Sequence, residues 1–347
     1  MRPHAASFLL RASIAGALSV TLAACGGRID TSEAPPPGPS VAPPSPASGT
    51  AFPSGTIAVG EALGGVTFYP RGASQGTAAL GHLEWNVPWY VPQYLAFDAA
   101  GYLYVDSYDA SDTAAAGTLA RIDVFAPGST GNAVPVRTIV GPHTQLWSAR
   151  AMAIDAAGDL LVTNADFSSG VHGSIAVFAP GANGDAAPIR NVILDDIYAP
   201  CGLALDPNGS MFLADSEGGP VAEFSGDAQG ETVPTRVFSG TTAIMDATGV
   251  ALGANGVIYV ADVEGNDVII LAPGSNGQIV QTILGGAATQ ISTPSDLALD
   301  RDGRLLVAAG ENGLLIFDPR ANGNAAPLGA LSADPLTPVG YNVAIAP

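Results

Sequence analysis

The stretch Leu203-Ala-Leu-Asp-Pro-Asn-Gly-Ser-Met-Phe-Leu-Ala214 reads as an apolar run, an Asp-x-x-Gly turn and a second apolar run. Four near-copies accompany it. They are Leu95-Ala-Phe-Asp-Ala-Ala-Gly-Tyr-Leu-Tyr-Val-Asp106, Met152-Ala-Ile-Asp-Ala-Ala-Gly-Asp-Leu-Leu-Val-Thr163, Val250-Ala-Leu-Gly-Ala-Asn-Gly-Val-Ile-Tyr-Val-Ala261 and Leu297-Ala-Leu-Asp-Arg-Asp-Gly-Arg-Leu-Leu-Val-Ala308. Each predicts a β-hairpin. The Asp accepts hydrogen bonds from nearby backbone N–H groups, and the Gly takes the positive-φ position that closes the turn. These Asp residues are therefore structural. Asp206-Pro-Asn-Gly and Asp300-Arg-Asp-Gly lack the ligand set of a calcium loop.

The fourth residue of the phrase falls at Asp98, Asp155, Asp206, Gly253 and Asp300, so successive copies lie 57, 51, 47 and 47 residues apart. A period near fifty residues predicts the blades of a propeller. A further 46 residues reaches Ala346, within Tyr341-Asn-Val-Ala-Ile-Ala346, an inner strand with no hairpin partner after it. Its partners are expected at the other end of the chain, at Gly55–Gly60 and Gly65–Pro70. A second phrase keeps the same period. Val124-Phe-Ala-Pro-Gly-Ser-Thr-Gly-Asn-Ala-Val-Pro-Val-Arg-Thr-Ile139 recurs as Val177-Phe-Ala-Pro-Gly-Ala-Asn-Gly-Asp-Ala-Ala-Pro-Ile-Arg-Asn-Val192. It predicts a third strand, a Gly-rich turn and a fourth strand. The fold class expected is all-β: a six-bladed β-propeller with four antiparallel strands, a to d, per blade, closed by pairing of N- and C-terminal strands. It is expected to occupy residues 53–347.

The chain of 347 residues holds 43 Gly and 28 Pro, which leaves little room for long helices. It carries 31 Asp plus Glu against 12 basic residues, all Arg, for a net charge of -19. Phosphate backbones need a basic surface, so nucleic acid is excluded as a partner. Residues 1–24 read as a secretory signal, with Arg2 and Arg11 before or at the start of an apolar run too short to span a bilayer. Residues 25–52 read as an extended Pro-rich spacer. Cys201 is the one other cysteine besides Cys25, and its place at the start of an inner strand predicts a buried structural thiol with no internal disulfide.

Blade connectivity sorts the loops. The a–b and c–d turns are expected on one face, and the variable b–c and d–a loops on the other, where a site would be built over the central channel. Strand b tends to end in a polar residue, at Asp106, Asn164, Asp215 and Asp262, read as turn caps. The d–a and b–c loops hold the ligand-binding candidates Trp89, Tyr90, Tyr108, His143, Trp147, Asp166 and Tyr198: aromatic rings for stacking and polar groups beside them. Gly72-Ala-Ser-Gln-Gly76 matches a nucleophile elbow, yet the repeat makes it a c–d turn and not a strand-to-helix turn. No catalytic residue is assigned, and no cofactor is expected.

The repeat resembles six-bladed propellers of the NHL-repeat type, whose strands flank an Asp-x-x-Gly turn. The resemblance covers roughly residues 55–347, and that architecture hosts lyases, lactonases, binders and scaffolds alike. Leu22-Ala-Ala-Cys25 resembles the lipobox of bacterial lipoproteins. That resemblance implies lipid attachment at Cys25, and the following Gly26 implies the outer membrane. The expected function is a lipid-anchored, monomeric envelope propeller binding a protein or small ligand. One alternative is a metal-assisted lactonase resembling gluconolactonases, holding one divalent cation, calcium or zinc, through Glu61, Asn164 and Asp215. The lead-in motifs of that group are absent here. The other alternative is a purely structural envelope protein.

Overall fold

The computed structural model describes residues 50–61, 65–84, 90–109, 120–165, 172–216, 221–238, 244–253, 256–272, 284–331 and 342–347. Three N-terminal strands come first: β1 (Ile57–Glu61), β2 (Gly65–Tyr69) and β3 (Gly81–Glu84). Blade one is β4 (Tyr90–Phe97), β5 (Leu103–Asp109), β6 (Ala120–Phe125) and β7 (Arg137–Ile139). Blade two is β8 (Ala149–Ile154), β9 (Leu160–Asn164), β10 (Ser174–Phe178) and β11 (Arg190–Leu194). Blade three is β12 (Pro200–Leu205), β13 (Met211–Asp215), β14 (Val221–Phe224) and, after the short β15 (Gly230–Thr232), β16 (Arg236–Val237). Blade four is β17 (Ala247–Leu252), β18 (Ile258–Asp262), β19 (Asp267–Leu271) and β20 (Leu284–Gly285). Blade five is β21 (Pro294–Leu299), β22 (Leu305–Ala309), β23 (Leu314–Phe317) and β24 (Gly329–Leu331). The last strand, β25 (Asn342–Ile345), joins the first three in the order β25-β1-β2-β3. The molecule is the six-bladed propeller that the repeat predicts.

The closing blade is stitched residue by residue: Ile57 faces Ile345, Ala58 faces Ala344, Val59 faces Val343 and Gly60 faces Asn342. The strand's two faces serve different neighbours. Val343 and Ile345 pack with Leu306 and Ile316 of blade five, whereas Ala344 packs with Leu95 and Val105 of blade one. The same logic holds round the ring. Six apolar clusters fill the gaps between successive blades. Both faces of each blade are therefore buried, which is why strand b reads as a continuous apolar run and not as an alternation.

The Asp-x-x-Gly turns behave as their composition dictates. Ala100 and Tyr102 N–H donate to Asp98 Oδ1 at 3.0 and 2.9 Å, and Asp155, Asp206 and Asp300 repeat both bonds. Gly101 and Gly209 sit at φ 84° and 87°. Residues 72–76 lie between β2 and β3, as a c–d connection should.

The c–d turns begin on the a–b face as expected, with Pro127, Pro180 and Pro319 against Gly101, Gly158 and Gly303. The connections of four blades then climb the outer strand of the preceding blade and pair with it in parallel: Gly131 with Leu83, Gly184 with Ile139, β15 with β11, and Gly323 with Leu284. The outer edge of each of these blades is thereby covered by its neighbour, which removes an exposed ladder. Cys201 also departs from expectation. It is fully buried with Sγ 3.2 Å from Ser216 Oγ, but it is disulfide-bonded and not a free thiol. The sequence's other cysteine, Cys25, lies outside the described residues.

Candidate functional site

Strand b of each blade ends at one register position. Its occupants are Glu61, Ser107, Asn164, Asp215, Asp262 and Ala309, each the closing residue of the register that begins at Ile57, Leu103, Leu160, Met211, Ile258 and Leu305. All six are buried. Three of them hold the incoming d–a loop. Asn164 Oδ1 accepts from Trp147 and Ser148 N–H at 2.7 and 2.9 Å. Asp215 accepts from Tyr198 and Ala199 N–H at 3.3 and 3.0 Å. Asp262 accepts from Met245 and Asp246 N–H at 3.1 and 3.0 Å. Asp262 also accepts from Gly265 N–H of the b–c turn, at 3.3 Å. The caps thus serve mainly the d–a loop, where a b–c role was expected.

Asp106 was read as one of this set, and the register corrects that. It lies one residue earlier, opposite Tyr94, so its side chain takes the other face of the blade. It is fully buried, and neither carboxylate oxygen has a side-chain hydrogen-bond partner, the Ser107 N–H being the backbone donor that acts on it. Burial pushes its pKa up to about 7, against the opposing pull of Arg150. Burial likewise pushes the Tyr94 phenol up to about 12, with Arg150, Asp296 and Asp106 close enough to act on it. Tyr94, Arg150 and Asp296 all stand on innermost strands, so together they form the polar filling of the channel.

The capped loops share a consequence. Trp147, Tyr198 and Met245 each stand eight residues before the fourth residue of their phrase, and their side chains are 40%, 40% and 42% exposed. The d–a loop leads into the innermost strand, so this position lies at the channel mouth. Three adjacent blades therefore present a large apolar side chain at one place, each fixed through its own N–H by a buried acceptor. Tyr198 is further stacked on His172, with ring centroids 5.1 Å apart. Tyr90 holds the same position in blade one and begins β4; Tyr108 lies in β5. Trp89, Asp166 and Cys25 fall outside the described residues.

His143 is placed elsewhere. It belongs to a short 3-10 turn (Pro142–Thr144) that follows outer strand β7. Its N–H and ring both bond Asp185, which follows the Gly184 latch of blade two. That bond holds the Asp185 carboxyl below its usual range. In blade five, Asn324 receives Ala288 N–H in the same way, at 2.7 Å. His143 is thus part of the rim latch between blades and not of the channel mouth.

The alternative metal set is dispersed by role. Asn164 and Asp215 are the loop caps just described. Glu61 turns instead toward its own blade, accepting from Thr67 Oγ1, which also contacts His82 Nδ1 at 2.8 Å. Glu61, Thr67 and His82 form a hydrogen-bonded cluster that sequence reading missed. The hydroxyl sits in the middle and is buried, so this is not the order of a nucleophile–base–acid relay. Among the described residues, no group of three or more His, Cys, Asp or Glu side chains is arranged to hold a metal ion. Met245 was also missed. Its offset from the repeat was readable, but a methionine carries no signal of stacking.

Comparison with known proteins agrees with the architecture. The family model for the SMP-30/gluconolactonase/LRE-like region matches residues 142–295, under half of the chain. A search of curated proteins finds no significant match. Among solved structures, the nidogen/laminin complex is similar at a TM-score of 0.59 and 15% identity, over 84% of this chain and 98% of that one. A protein of unknown function from Bacteroides caccae aligns at 0.58 and 12%, over 84% and 98%. The WD40 propeller domain of Doa1 aligns at 0.50 and 12%, over 77% and 76%. At such identities the likeness speaks for the fold alone.

Proposed function

We propose that this protein is a non-catalytic binding propeller that engages its partner at the channel mouth, tethered to the envelope through Cys25. The observation that carries the reading is the repeated presentation of Trp147, Tyr198 and Met245 on loops whose backbone is fixed by buried Asn164, Asp215 and Asp262. Large side chains held on a rigid frame bind with little ordering cost. The acidic residues Asp246, Glu264 and Asp267 stand beside Met245, and mutual repulsion with Asp262 adds to burial in raising Asp246 and Asp267 to about 6. A partner that brings apolar and basic groups together complements that surface.

The test is capture from envelope extract with the parent and with the triple variant Trp147→Ala, Tyr198→Ala, Met245→Ala. Loss of a captured partner in the triple variant, with retention in a control Ile189→Ala, Val233→Ala, Leu328→Ala, is expected. Equal capture by parent and triple variant would remove the site from the channel mouth. The family match over residues 142–295 favours a second reading, the metal-assisted lactonase. A stoichiometric divalent ion in the purified protein, with lactone hydrolysis lost in Asp215→Ala, would establish that reading instead.

The anchor has its own chemical check. A diacylglyceryl thioether on Cys25 and an intrachain disulfide at Cys201 exclude each other, since these are the chain's two cysteines, so the anchor requires Cys201 to be a free thiol in the mature protein. Mature membrane-bound protein is expected to titrate one thiol after denaturation. None, with Cys201 crosslinked to Cys25, would exclude lipidation.

A further inference from the structure

Three outer strands begin with arginine: Arg137 on β7, Arg190 on β11 and Arg236 on β16. Arg190 crosses to blade three and donates through Nη1 to the carbonyls of Gly226 and Ala228, at 2.7 and 2.8 Å. Arg236 stays in its own blade and pairs with Glu223 at 2.6 Å. Both are thereby paired with a carbonyl or carboxylate acceptor, although Arg236 Nε is buried without one and its guanidinium also lies over the Phe238 ring.

Arg137 is not. The equivalent carbonyl-bearing turn of blade two, at Pro180 to Ala182, stands next to it, but no hydrogen bond reaches across. The guanidinium instead lies over the rings of Tyr102 and Tyr104, 5.5 and 5.7 Å from their centroids, and Nη2 donates to Tyr104 Oη at 3.1 Å. Its Nε–H is buried with no acceptor. The cause is visible in the repeat. The positions of Tyr102 and Tyr104 are Asp159 and Leu161 in blade two, and Ser210 and Phe212 in blade three. Two tyrosines hold Arg137 on its own blade by cation–π attraction, and the staple to the next blade is lost.

The gap left open is a solvent-open groove of about 510 Å³ between blades one and two, on the face opposite the channel mouth. Tyr102, Tyr104, Val136, Arg137 and Pro180 line it, with Asp98 at its edge. That volume is in the range of small-molecule sites, roughly 300–1,000 Å³. We propose that this groove binds a planar monocarboxylate. The guanidinium offers a fork of donors with one internal acceptor, and a carboxylate is the group that matches such a fork. The rings, Val136 and Pro180 provide flat and apolar walls for the body of the ligand. Asp98, whose carboxyl accepts two turn N–H groups, stands at the edge of the groove and disfavours a second negative charge on the ligand.

Ligand-observed saturation-transfer NMR on the full chain tests this, with benzoate as probe and benzamide as its neutral counterpart. Saturable transfer to benzoate is expected, at least tenfold weaker for benzamide, because the amide cannot pair ionically with Arg137. Arg137→Lys removes the fork and should weaken benzoate about tenfold. Tyr104→Phe frees the donor that Tyr104 now occupies, and should leave benzoate binding intact or tighter. Equal transfer to benzoate and benzamide, or benzoate binding unchanged in Arg137→Lys, overturns the proposal. So does loss of binding in Tyr104→Phe while the variant's melting temperature stays at the parent value.

Discussion

The ring of inner strands is built in two different ways on its two sides. Between blades three, four and five the backbones touch. A Cβ on Gly202 would sit 2.9 Å from Val250 N and 3.0 Å from Gly249 Cα. A Cβ on Gly249 would sit 3.0 Å from Asp296 Cα and 3.3 Å from Leu297 N. From blade five through the closing blade to blade one, side chains bridge the same gap. Asp296 Oδ2 accepts Val343 N–H at 2.8 Å, and Asn342 Oδ1 accepts Leu95 N–H at 2.6 Å. All four residues stand at one repeat position, immediately before the first residue of the hairpin phrase. A single backbone plan thus tolerates direct contact or a polar spacer, and the spacer side is where β25 closes the ring.

The spacer side should be the weaker seam, and the largest effect is expected there. Deleting residues 341–347 removes β25, strips β1 of its inner partner and takes Val343 from the blade-five gap. Burying Val343, and Ile345 in part, is worth roughly 2–5 kcal/mol together, a large share of a typical net stability of about 5–15 kcal/mol. A sharp fall in melting temperature is expected, with proteolysis opening within residues 55–83. An equal cut in the 26–52 spacer should do neither. If the two deletions melt alike, the termini do not lock the ring.

The contact side makes the next prediction. Gly202→Ala pushes a methyl group into the backbone of blade four, which cannot yield as a flexible side chain would. A loss of about 2–3 kcal/mol is expected in chemical denaturation. The same change at Gly209, in an a–b turn with nothing within 4 Å, meets only the cost of its positive φ and should lose less. A Gly202→Ala protein as stable as the parent would mean that the inner strands can separate freely.

How far these features were legible depends on where their cause lies. The period, the blade count and the shared closing blade follow from spacing alone, because a repeated hairpin must meet the same neighbours each time. The turn Asp residues were legible for the same reason. What escaped needed a second blade. The c–d latch joins Gly184 to Ile139, a pairing between different blades that no local pattern announces. Asp106 was put in the wrong frame because the phrase of blade one carries Asp where other copies have Thr or Ala, one residue before the cap position. His143 looked like a ligand for the channel until Asp185, carried up by the latch, claimed it. Of the candidate residues, Trp147 and Tyr198 share the channel mouth, and Met245 joins them by position and not by chemistry.

The last difference between the seams is electrical. Asn342 and Asp296 do the same work for the backbone, yet Asp296 brings a charge into the channel, and burial pushes its pKa up to about 7. An acid whose folded pKa is raised binds its proton in the native state while the unfolded chain has lost it. The stability penalty is absent below about pH 4, grows as pH rises toward about 7, and is constant above. Asp296→Asn keeps an acceptor for Val343 N–H, as Asn342 does for Leu95, and removes the charge. The full shift would correspond to about 4 kcal/mol; the channel leaves Asp296 partly exposed, so a gain of about 1–2 kcal/mol above pH 7 is expected. No gain should appear at pH 4. Parent and variant curves of melting temperature against pH should therefore meet at the acid end and separate through pH 5 to 7. Parallel curves would show that Asp296 is ionised and solvated within the ring, and that the polar seam carries no electrical cost over the glycine seam.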